Sequence, residues 1–144
     1  MLRYKIASKL IEPRLQVKKG QTGSLYYDTD QKAMVIGNYP DFNEYGFMRH
    51  LGYEHKFGYD NACKYRYALW HILHEIGHYH IEDEYGDNKD ARAYFKEYGK
   101  LLLKNKTLQD NLFNDRTEWA ATEWAINWIK KHKIKAMVLN LFVR

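Results

Sequence analysis

Two histidines and a glutamate stand together in the run His74-Glu75-Ile76-Gly77-His78. On an α-helix, residues four apart share one face, about one turn from each other. His74 and His78 would therefore present two imidazoles to a single ion. Imidazole nitrogen suits zinc, and catalytic zinc sites use three protein ligands and leave a fourth position to water. The ion lowers the pKa of that water toward about 7. Glu75, leaning to the same side, is placed to take the water's proton as it attacks a carbonyl, and to pass it to the leaving amine. The chemistry implied is peptide-bond hydrolysis with Glu75 as general base. The chain has 7 His and 9 Glu among 144 residues. Shuffling that composition would give the five-residue pattern about 2% of the time. The bland alternative is a satisfied polar patch on a solvated helix face.

The elements that must position these groups can be read outward from the motif. From Asp60 to about His80 the pattern is helical, with Asp60 or Asn61 able to cap its start. Leu69, Ile72, Leu73 and Ile76 form an apolar stripe at three- and four-residue spacing. Gly77 costs a helix roughly 1 kcal/mol relative to alanine, and the gap it leaves would let a second element approach the site. His71 lies one turn before His74 and reads as a neighbour of the site or as a surface histidine. His80 points away from the His74/His78 face and is not a ligand.

A third donor must come from elsewhere. A helix over about 115–131 places Glu118, Ala121, Thr122 and Ala125 on one face. Its two alanines make a flat strip that lets it come close to the motif helix. Glu118 is the preferred metal ligand. Its competing role is in a capping box, Asp115-x-x-Glu118. Glu123, the reserve ligand, shares a face with Asn127 and Lys130 that reads as solvent-facing. Trp119, Trp124 and Trp128 read as core.

The rest of the chain frames this pair of helices. Residues 2–11 suit a short helix ending before Pro13. Residues 24–28 and 33–38 are rich in β-formers around the polar stretch Asp28–Lys32, which reads as a β-hairpin. A short helix plus loop is expected over 40–58, a polar break over 81–90 around Gly86, and a helix over 90–104. The tail from Ile134 to Val143 is β-prone at Met137-Val-Leu and Leu141-Phe-Val. The expected fold is α+β: a single domain over 1–144, mainly helical, with a small β-hairpin or antiparallel sheet preceding the motif helix.

Composition narrows the setting. With 45% hydrophobic and 16% aromatic residues the chain can bury a core without staples. Its one cysteine, Cys63, permits no internal disulfide and reads as a packed or incidental thiol, which fits a reducing, cytoplasmic compartment. The start lacks the apolar stretch of a secretory signal, and no run approaches the ~18 apolar residues of a membrane span. The net charge of +5 is scattered rather than gathered in one stripe, which argues against a nucleic-acid partner. Its closest clusters are Lys104/Lys106 and the run Lys130 to Lys135.

The motif His74-Glu-Ile-Gly-His78, followed by Glu118-Trp-Ala-Ala121-Thr-Glu-Trp124-Ala125, resembles the ImmA/IrrE family of zinc metallo-endopeptidases, over roughly residues 60–130. That family carries a His-Glu-x-Gly-His helix and then a Glu-x-x-Ala-Asn-x-Phe-Ala helix. Its members are small gluzincin-like proteins of bacteria, phages and mobile elements, and some act on a partner transcriptional repressor. The resemblance implies that His74, His78 and Glu118 bind zinc, that Glu75 is the base, and that the substrate is a peptide or protein, a regulatory partner among the candidates. Thr122 stands where the family usually has Asn, and Trp124 replaces Phe. The alternative expectation is a non-catalytic, metal-stabilised binding protein of such a regulatory system.

Overall fold

A computed structural model describes residues 2–21, 25–37, 64–86 and 120–143, with side chains as far as Ile81 in the third stretch. The helix expected over 90–104, the helix and loop expected over 40–58, Cys63, Asp115 and Glu118 lie outside the described residues.

Helix α1 (Leu2–Ile11) buries Tyr4, Ala7, Ser8 and Ile11, the spacing of one helical face. The Ser8 hydroxyl is satisfied inside the helix by donating to the Tyr4 carbonyl at 2.7 Å. Pro13 stops further helix, because it supplies no amide hydrogen and disfavours helical geometry at the residue before it.

Strands β1 (Gln16–Lys19), β2 (Leu25–Asp28) and β3 (Ala33–Ile36) form one sheet in the order β1-β3-β2. The hairpin expected from sequence is β2–β3, antiparallel, pairing Tyr27 with Met34 and Asp28 with Ala33. Its turn is fixed by Asp28, whose carboxylate accepts from the amides of Asp30 and Gln31 at 3.0 and 3.1 Å. Strand β1 pairs with β3 in parallel, so the sheet is mixed rather than purely antiparallel. Central β3 is buried along its whole length, whereas β1 is largely exposed. Gln-Val-Lys-Lys shows no apolar alternation, and only pairing with β3 makes it a strand.

Helix α2 (Tyr67–Gly86) runs through the core. Leu69, Trp70, Ile72, Leu73 and Ile76 are completely buried, together with α1 and sheet residues. It differs from the sequence expectation at both ends. Residues 64–66 form a turn rather than helix, held by Asn140, whose side-chain carbonyl accepts from the Arg66 amide and whose side-chain amide donates to the Lys64 carbonyl. The far end continues to Gly86, through part of the polar stretch read as a break. Backbone hydrogen bonding tolerates that polar run where no proline or turn interrupts it.

Helix α3 covers 120–131 and agrees with the expected 115–131 over the described part. After His132, helix α4 (Lys133–Phe142) takes the tail read as β-prone. Ala136, Leu139 and Val143, three and four residues apart, are buried, and that periodicity decides for helix over local β preference. The result is a mainly helical α+β fold with a three-stranded mixed sheet. Among the described residues no helix is long and apolar enough to cross a membrane.

Candidate metal centre

The motif residues lie on α2 where it passes strand β2 and helix α3. His74 is buried, and Glu75 and His78 are half-buried. The Nε2 atoms of His74 and His78 are 3.1 Å apart, with the rings edge-to-face at 87°. Two nitrogens bound to one tetrahedral zinc, each about 2.0–2.1 Å from it, would stand about 3.3–3.4 Å apart. The two imidazoles therefore already hold nearly the separation that a shared ion requires. Donor atoms from His74, Glu75 and His78 all lie within 4.8 Å of one another, so this group could hold a metal ion.

Helix α3 makes the geometry specific. A Cβ built on Gly77 would lie 2.7 Å from the Ala121 carbonyl oxygen and 3.0 Å from the Ala121 Cα. Only the bare glycine lets the two backbones meet. Ala121, Thr122 and Ala125 are all fully buried at this contact face, as the alanine strip predicts. The close approach brings the Thr122 hydroxyl to 3.3 Å from His74 Nδ1. With the Nδ1 hydrogen given to that oxygen, the lone pair of His74 is on Nε2, the atom facing His78. In that tautomer Thr122 orients His74 so that Nε2 could take a metal ion. The sequence signal for it is a hydroxyl on the face that also carries Ala121 and Ala125.

Glu75 is held from the sheet side. Its Oε2 accepts the backbone amide of Tyr27 on β2 at 2.8 Å, and its Oε1 lies 3.6 Å from His71 Nε2. His71 is therefore a neighbour of the site, with its side chain 15% exposed, rather than a surface histidine. Tyr27 contributes through its main chain, for which no residue-type signal exists in a sequence. The Tyr27 ring also meets Tyr79 edge-on at 6.0 Å, closing the packing beside Glu75.

The remaining candidates separate clearly. His80 turns away, as expected, stacking on Trp124 at 4.6 Å and approaching Glu12 Oε2 at 3.4 Å. Glu123 is exposed together with Asn127 and Lys130. Trp128 is buried and Trp124 half-buried against the core.

Fold and site together define a mainly helical α+β domain with a His-Glu-His group able to hold a metal ion. No protein-family model matches the sequence, and no curated protein or solved structure matches it.

Proposed function

We propose that the chain is a zinc-dependent endopeptidase that works in the cytoplasm, similar in its motifs to the ImmA/IrrE metallo-endopeptidases, and that its substrate is a partner regulatory protein. The observation that carries this reading is the convergence of His74 and His78 Nε2 atoms to 3.1 Å, with the His74 ring backed by Thr122. Two neutral imidazoles and a carboxylate are a donor set that zinc accepts. His74, His78 and Glu118 would hold the ion, Glu118 preceding Thr122 by four residues in the sequence. When bound, the ion makes water more acidic and polarises the scissile carbonyl. Glu75 takes the proton of the attacking water and delivers it to the leaving amine. The Tyr27 amide fixes the direction of the Glu75 carboxylate before substrate arrives, which removes the cost of orienting the base during reaction.

The hold on Glu75 also favours a second reading. Its two oxygens are engaged by Tyr27 and faced by His71, an arrangement equally suited to a structural carboxylate in a metal-stabilised binding protein. Zinc titration against a chromophoric chelator, beside cleavage of a quenched peptide library, separates the two. The expected result is one equivalent of zinc, with hydrolysis that falls about 10²–10⁴-fold in Glu75→Gln while zinc is retained. Full hydrolysis by Glu75→Gln removes the base from the mechanism. Zinc binding without any hydrolysis by the unaltered protein selects the second reading.

A further inference from the structure

Helix α4 has two apolar faces, and among the described residues only one is buried. Ala136, Leu139 and Val143 are buried, whereas Ile134, Met137, Val138, Leu141 and Phe142 are 41% to 81% exposed. The exposed set follows the spacing i, i+3, i+4, i+7, i+8, a continuous stripe over the whole helix. A contiguous apolar patch of this kind on a folded domain marks an interaction surface. Beside it runs a groove of about 930 Å³ with Tyr65, Ile129, Met137 and Leu141 in its walls, and Lys64 and Lys133 among the residues lining it. None of the described residues lining it is acidic. The sequence from Trp124 to Arg144 contains no Asp or Glu, but it carries Lys130, Lys131, Lys133, Lys135 and Arg144.

We propose that this groove and the outer face of α4 dock an amphipathic helix of a protein partner, with apolar residues along its centre and acidic residues along its flank. The charge chooses the occupant. A second copy packed through this same face would bring no acidic residue from 124–144 to meet Lys64 and Lys133, so it offers these cations no complement. A lipid surface favours a helix whose cations border the apolar face on both sides. Here Lys135 is drawn onto α1, where its Nζ donates to the Leu10 carbonyl at 2.6 Å, while Lys64 and Lys133 line a concavity. A concave apolar floor beside cations fits a helix with an acidic flank. The ten residues of α4 span about 15 Å, which a partner helix of about three turns would match. The surface includes none of His74, Glu75 and His78, so it stands whether or not the metal group is catalytic.

The test uses the full chain, isotopically labelled, and a synthetic helical peptide of about 14 residues with leucines at i, i+3, i+4 and i+7 and glutamates beside them. Amide shifts are expected at 64–65 and 129–142. Binding should weaken about tenfold or more in Met137→Glu and in Leu141→Glu, exposed positions whose change leaves the thermal unfolding midpoint in place. A peptide with lysines in place of its glutamates should bind Lys133→Glu better than the unaltered chain. The proposal is overturned if a scrambled peptide of the same composition binds as tightly, or if the shifts lie elsewhere. It is also overturned if phosphatidylglycerol vesicles bind the chain and the peptide does not, or if sedimentation reveals a dimer that Met137→Glu dissociates.

Discussion

Helix α2 carries two histidine clusters on different sides. On one, His74 and His78 turn their Nε2 atoms toward each other, and their partners include the hydroxyl of Thr122. On the other, His80 meets the Glu12 carboxylate, stacks on Trp124, and shares Glu12 with Arg14, whose Nε donates to it at 2.6 Å. Burial pushes the Glu12 carboxyl up, but the Arg14 guanidinium and His80 outweigh it and hold the group below its ordinary 4.5. The second cluster contains its own cation and ties the end of α1 to α2 and α3. The first gathers two ring nitrogens and a carboxylate within 4.8 Å of one another, a group that could hold a metal ion. Histidine beside histidine and histidine beside a carboxylate–arginine pair are similar in composition and differ in what they can hold.

Four substitutions break or sharpen this contrast. The largest effect is expected from His78→Ala, which should lower zinc affinity by more than the 10–100-fold typical of losing an outer partner. Isothermal titration would show it, and affinity equal to that of the unaltered chain would remove His78 from the site. Next comes Gly77→Ala. Its methyl would sit 2.7 Å from the Ala121 carbonyl, so α2 and α3 must separate, at a cost of about 1–3 kcal/mol in urea unfolding. A more stable variant, as helix preference alone would give, would mean the helices do not meet at Gly77.

Thr122→Val keeps the shape and removes the hydroxyl. It should weaken zinc binding about 10–100-fold with little loss of secondary structure by circular dichroism. Unchanged affinity would show that His74 needs no orienting partner. The smallest effect belongs to the other cluster. Because the Glu12 carboxyl is depressed when folded, its contribution to stability is full above pH 4.5 and is lost as pH falls through its folded value. Glu12→Gln should therefore flatten the loss of stability below about pH 4.5 while leaving zinc affinity untouched. A change in zinc affinity in this variant would join the two clusters into one.

Much of the centre was legible in the residues. The four-residue spacing of His74 and His78, the glycine between them and the alanines at 121 and 125 all pointed to two closely packed helices, and the Gly77–Ala121 contact is that packing. Strand β1 was not legible, because Gln16–Lys19 is polar and mostly exposed and becomes a strand only through its partner. The C-terminal helix was not legible either, because Met137-Val-Leu favours extended structure locally, while burial of Ala136, Leu139 and Val143 is a long-range outcome.

By itself the sequence determined the chemistry available: which donors exist, and which of them one helix must carry on one face. That follows from helical periodicity, a local property of the chain. Tertiary structure alone decided their employment. It set Thr122 behind His74, the Tyr27 amide on Glu75, and Glu12 with Arg14 against His80. Each of the first two contacts joins residues 48 apart in the chain, and a main-chain amide leaves no trace in residue type. Such pairings depend on how the sheet and helices stack, so only the packed fold fixes them.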